Sequence, residues 1–177
     1  MTDNIRLGPD AQTNYTLDLL RDGEFNGEIS AEFQLMPGLH FHADKALDIS
    51  GSYHSPKGRL LELDFSASGE GGWAGLHIAL NAPDLSRHGF VGLACRSAAP
   101  EMQVIRPCLR SGTAEGFEDC FFEKHILSQP EESSHIDALP IHQRDHLPAL
   151  APWRELILFL PTQSFRWSLL DLRVFIV

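Results

Sequence analysis

The chemistry available to this chain rests on its histidines, tryptophans and carboxylates. His40 and His42 stand two residues apart in Gly38-Leu39-His40-Phe41-His42. In an extended strand, residues i and i+2 share a face, so both imidazoles project to one side. Such a pair chelates Zn, Fe or Mn when a carboxylate completes the set. Asp44 is the only acid nearby in sequence. His135, His142 and His146 lie near Asp137 and Asp145. Pro140 and Pro148 bracket the His142-x3-His146 pair, and no helical pattern surrounds it, so these read as solvated loop histidines. A third group mixes aromatic and charged residues: Trp73 and His77; Phe90 and Arg96; Asp119, Phe121, Glu123 and His125; Trp167, Asp171 and Arg173. A sugar ring asks for this mixture. Its C–H face stacks on an aromatic ring, and its hydroxyls pair with carboxylates and guanidinium groups.

Those side chains act together only if their strands share a sheet. Trp73 and Trp167 are then expected as stacking platforms. Arg96, Glu123, Asp171 and Arg173 are expected as hydroxyl or carboxylate partners, and His77 and His125 as neutral hydrogen-bonding groups. An ordinary solvated face with scattered cross-strand ion pairs has the same composition.

The elements that would carry these residues read as strands. Phe165–Val177 alternates Ser168, Leu170, Leu172, Val174 and Ile176 against Trp167, Leu169, Asp171, Arg173 and Phe175. That is period two, a β signal. Residues 28–35 alternate in the same way. Residues 46–53 and 59–66 flank Ser55-Pro56-Lys57-Gly58 and are expected to pair as an antiparallel hairpin. In residues 73–80, Leu76, Ile78 and Leu80 oppose Trp73, Gly75 and His77. Residues 15–20, 88–96, 102–110, 117–127 and 153–160 also read as strands, with Pro107 marking an edge or a bulge. Residues 133–150 are the least readable, expected as a loop or a short strand near 134–139 with a brief helical turn.

The expected fold is all-β: an antiparallel two-sheet β-sandwich of jelly-roll type, with about ten strands and little helix. A single domain is expected over 1–177, with residues 1–12 loosely held and 128–152 a long loop region.

Formal net charge is −10, from 24 acids and 14 bases. Such a surface repels phosphate backbones and anionic lipid, which argues against nucleic acid and membrane partners. The first ten residues lack a basic segment followed by an apolar one, so a cytoplasmic location is expected. Cys95, Cys108 and Cys120 form no Cys-x-x-Cys pair and sit in strand-like runs, as small buried hydrophobes do. Nucleophile elbows, phosphate loops and dinucleotide fingerprints are missing from the sequence.

The run Gly71-Gly72-Trp73-Ala74-Gly75-Leu76-His77-Ile78-Ala79-Leu80 and the ending Phe165–Val177 resemble the galactose-binding-like jelly rolls, the fold of many carbohydrate-binding modules. The resemblance implies ligand binding by a sheet face or strand-end loops, and it does not imply catalysis. Such modules often hold a structural calcium near the N-terminal loop. Asp18, Asp22 and Glu24 form no recognisable calcium loop. The leading expectation is non-catalytic binding of a carbohydrate or similar polyol, with no cofactor. One alternative is a metal-dependent enzyme using His40 and His42, since cupins place a His-x-His of this kind on a jelly-roll barrel. Here Gly38 stands too close to His40 for the cupin spacing, and the expected Glu is missing. The other alternative is an assembly subunit whose outer sheet face is a homo-oligomer interface.

Overall fold

The computed structural model describes residues 8–177. After helix α1 (Ala11–Asp22) come strands β1 (Phe25–Glu28), β2 (Glu32–Met36), β3 (Leu39–Ala43), β4 (Leu47–Ser55), β5 (Leu61–Gly69), β6 (Ala74–Leu80) and β7 (Phe90–Ala98). They are followed by β8 (Gln103–Thr113), β9 (Gly116–Phe121), β10 (Ile126–Ser128), β11 (Ser133–Pro140), β12 (Arg154–Leu160) and β13 (Phe165–Ile176). They form two antiparallel sheets. The first has the order β1-β4-β5-β13-β7-β11 and the second β10-β8-β12-β6-β3-β2, with β9 also paired to β8. The fold is an antiparallel two-sheet β-sandwich, as the alternation implies.

The core lies between the sheets and takes one face of each strand. An aromatic chain crosses it: Phe33 stacks on Phe41 and on Tyr53 at 5.3 and 5.2 Å, Phe41 meets Phe65 at 5.8 Å, and Phe65 meets Phe165 at 5.0 Å. The expected hairpin forms as β4 and β5. Gly51 is required there: its φ is +142°, and a Cβ would stand 2.0 Å from the Asp64 carbonyl oxygen. Pro107 sits where the outer neighbour of β8 changes. β10 pairs up to Ile105 and β9 pairs from Cys108, so the missing N–H falls in the gap. The three cysteines are free and buried, as expected. Burial pushes the Cys95 thiol up to about 12.

Several expectations are corrected. Residues 15–20 are helical, not extended. Thr13, Leu17 and Leu20 recur at i, i+4 and i+7 and are buried, so the helix presents one apolar stripe. Of the loosely held 1–12, residues 1–7 lie outside the described residues, while Ala11 and Gln12 begin α1. This helix closes an open strand edge. β13 pairs with β5 only as far as Leu169. Further on, the Asn14 amide accepts from the Val174 N–H at 3.0 Å and donates to its carbonyl at 2.8 Å.

The run 28–35 is two strands, because the chain leaves the first sheet after β1 and enters the second at β2. Burial still alternates through the crossover, with Ile29 and Leu35 inside. Residues 117–127 are likewise broken into β9 and β10 at residues 122–125. The long loop over 128–152 contains β11, paired to β7 through eight residues, and a 3-10 turn at Ile141–Gln143. The short strand and helical turn expected inside it are the parts that form.

Candidate functional site on the outer face of the second sheet

Strand register assembles the site in rows across β3, β6, β12, β8 and β9. His42, Gly75, Phe159 and Arg106 form one row. His40, His77, Ile157, Cys108 and Phe121 form the next, and Ala79, Glu155, Arg110 and Asp119 the one after. All point away from the core, because Leu76, Ile78, Leu156, Leu158 and Leu109 on the same strands point into it. Ile157 and Cys108 are fully buried although they face outward, so the flanking side chains lie over them.

The aromatic half of this face is a cleft of about 430 Å³ lined by Trp73, Arg106, Phe121, Phe159, Met102 and Gln163, among others. Phe121 and Phe159 stack at 5.7 Å, and the Arg106 guanidinium lies 4.6 Å above the Phe121 ring. Phe121 remains 39% exposed. Beside it, Arg110 forms a fork to Asp119 at 2.7 and 2.8 Å and covers Phe117 at 3.8 Å. The Asp119 hydrogen bonds raise the Arg110 pKa further. Trp73 is placed by Asp44. One Asp44 oxygen accepts from the Gly72 N–H at 2.8 Å, the other from Ala46 at 3.0 Å, and these bonds lower its pKa. Asp44 is therefore committed to the loop and does not complete a set with His40 and His42.

The histidine half adjoins the cleft. His77 is buried, and its Nδ1 meets Glu155 at 2.7 Å. Burial acts to raise the Glu155 carboxyl, but the His77 hydrogen bond and nearby positive charge outweigh it and hold it below its usual value. The His40 ring stacks on His77 at 4.8 Å; desolvation, then repulsion from His77, keeps His40 below the ordinary imidazole value. His42 meets the Trp73 edge at 5.0 Å.

No family model matches the chain, and no curated protein does. Among solved structures, it is similar to the family 11 carbohydrate-binding module of the cellulosomal cellulase Lic26A-Cel5E of Clostridium thermocellum. The TM-score is 0.53 at 11% identity, over 85% of this chain and 95% of the module. It is similar also to the CBM22-1 xylan-binding domain of Paenibacillus barcinonensis Xyn10C, at TM-score 0.52 and 10% identity, over 85% and 93%. The chain has the jelly-roll β-sandwich fold of carbohydrate-binding modules.

Within this jelly roll the expected ligand residues divide among four places. Trp73 and His77 share the outer face of the second sheet, joined by His40 and His42. Arg96, Asp171 and Arg173 share the outer face of the first sheet, on the opposite side of the sandwich. There they border a cleft of about 300 Å³ whose lining has no Phe, Tyr or Trp. Arg173 is also engaged by Asp18 of α1 at 2.5 Å. Glu123 and His125 are exposed in the turn between β9 and β10, where Glu123 pairs with Arg144. They leave the sheet because the chain steps around Pro107, with the Phe122 N–H bonded to the Pro107 carbonyl at 3.1 Å.

Trp167 is the sharpest correction. It is 1% exposed and lies in the core, where its Nε1 donates to Ser128 Oγ at 2.9 Å. A register shift between Leu169 and Asp171 reverses the alternation of β13. Phe165, Trp167 and Leu169 point inward before it, and Leu172, Val174 and Ile176 after it. Four site residues were missed: Arg106, Arg110, Phe159 and Glu155. The alternation Glu155-x-Ile157-x-Phe159 against Leu156, Leu158 and Leu160 was the signal available for two of them.

Proposed function

We propose that the outer face of the second sheet binds a glycan, with Trp73, Phe121 and Phe159 as the apolar platform and Arg106, Arg110 and Asp119 as hydroxyl partners. The observation that carries this reading is the cleft in which three aromatic rings and a guanidinium meet on the outside of a sheet. Aromatic rings there remain accessible for stacking on a sugar, and the charged groups are already oriented by one another. The likeness to modules such as a xylan-binding domain supports the ligand class at the level of fold.

Affinity electrophoresis through gels containing xylan, mixed-linkage β-glucan or other soluble polysaccharides tests it. Retardation that Phe121→Ala or Trp73→Ala weakens about fivefold or more, at about one kcal/mol or more for a truncated aromatic anchor, is the expected result. Migration indifferent to every polysaccharide, or retention unchanged in both variants, overturns it.

A second reading is a homo-oligomer interface, favoured by Phe117, Phe121 and Trp153, which are 52%, 39% and 42% exposed around this face. Light scattering decides it: a monomer at all concentrations counts against the interface.

A further inference from the structure

The histidine half of the face has geometry that sugar binding does not use. With Nδ1 of His77 donating to Glu155, the lone pair on Nε2 is left without a partner and buried. A carboxylate that fixes the tautomer while leaving the other ring nitrogen free is the arrangement of a metal-ligating histidine. The surroundings supply further nitrogens. His40 lies directly across the β3–β6 pair from His77, and His42 lies across from Gly75. His77 Nε2 leans over that glycine, 3.3 Å from where a Cβ would stand, so the missing side chain leaves the ring room to point toward His42. Donor atoms of His40, His77 and Glu155 all lie within 4.8 Å of one another; His42 stands outside that group and joins it by turning its ring.

Ring separations bring His40 and His77 within range of a shared ion. A metal–nitrogen bond of about 2.0–2.1 Å puts an imidazole centroid about 3.2 Å from the metal, so two rings at the tetrahedral angle on one ion have centroids about 5 Å apart. His40 and His77 are at 4.8 Å; His42 and His77, at 6.1 Å, are about 1 Å wider, so His42 swings inward to join the ion. Three imidazoles suit zinc, copper or nickel, whereas calcium and magnesium demand oxygen donors.

We propose that His40, His42 and His77 bind one divalent transition-metal ion, with Glu155 positioning His77 through Nδ1. The site differs from the cupin-like arrangement expected from sequence. Its third ligand comes from β6, its carboxylate from β12 and not from Asp44, and it lies on the outside of a sandwich. It does not depend on glycan binding, since metal is measured without any sugar.

Tag-free protein, stripped with chelator, is titrated with Zn²⁺ by calorimetry, and its Co²⁺ form is followed by visible absorption. One equivalent of saturable binding is expected, weakened about 100-fold or more in His77→Ala and about 10- to 100-fold in Glu155→Gln, the effect usual for an orienting partner. Circular dichroism establishes that each variant is folded. If His77→Ala does not fold, His42→Ala, on a half-buried ring, carries the test with Glu155→Gln. The proposal is overturned if folded protein shows no stoichiometric binding of Zn²⁺, Ni²⁺ or Cu²⁺. It is overturned equally if binding persists unchanged in the folded variants or follows His142 and His146 instead.

Discussion

Replacing Trp167 with Phe separates a core tryptophan from a ligand platform. The indole bridges the two sheets, since Trp167 belongs to β13 and its Ser128 partner to β10. Phe keeps the Cβ and one six-membered ring but loses the rest of the indole. Removing about 40–50 Å² of buried apolar surface costs about 1 kcal/mol. The space left behind adds about 1 kcal/mol, because the packed neighbours relax only in part. The lost hydrogen bond adds about 1 kcal/mol, although Ser128 keeps its partner Ser97 at 2.6 Å. The expected total is about 3 kcal/mol, a fall in Tm of about 6–12 °C for a chain of this size. Urea unfolding followed by circular dichroism measures it. Trp73→Phe, on a half-buried ring at the sheet surface, should cost less than about 1 kcal/mol by the same assay. In a Trp73→Phe/Trp153→Phe double variant the remaining tryptophan is Trp167, whose emission should be blue-shifted and resistant to acrylamide. A Trp167→Phe cost below about 0.5 kcal/mol, or a quenchable red-shifted emission from Trp167, would refute the inward placement of this residue.

Three further outcomes are expected. Asn14→Ala leaves both Val174 backbone groups without their amide partner; stability should fall by about 1–3 kcal/mol and the Val174 amide should exchange faster, as hydrogen exchange will read. Arg154 is buried and donates to the carbonyls of Ala82, Pro148 and Ala149 and to Ser111 Oγ, with no carboxylate among these partners; Arg154→Ala should cost about 3 kcal/mol or more and loosen residues 148–151, visible as new proteolytic cleavage there. Desolvation lowers the His135 pKa, and its Nε2 is buried without a partner. The unfolded chain therefore takes up the proton first, so stability is full above about pH 6.5 and declines as pH falls below it. Urea midpoints between pH 7 and 5 should show that decline, and His135→Gln should flatten it; an unchanged slope removes His135 as its source.

Local pattern accounts for much of the fold. Alternation in residues 46–53, 59–66, 73–80 and 153–160 gave each strand two distinct faces, and burial of one face is enough to demand a second layer. The same rule put Trp73 and His77 together on an outward face, which they occupy. It failed where a single residue changes the phase. The extra residue near Leu170 in β13 flips every side chain on one side of it, and nothing in the apolar composition of Phe165–Leu170 distinguishes the two phases. It failed also at residues 15–20, where Tyr15, Leu17, Leu19 and Leu20 satisfy short strand and helix templates alike until Thr13 extends the helical one.

The sequence by itself determined that this chain is an antiparallel β-sandwich and which half of most strands meets the core, because side-chain period is a property of the local backbone. Strand order is not. Whether Arg96 and Asp171 stand beside Trp73 depends on which strands hydrogen-bond, and tertiary structure put them on opposite sides of the sandwich. It also joined His40 and His42 of β3 to His77 of β6 and Glu155 of β12, residues up to 115 positions apart, through pairings that no local period encodes.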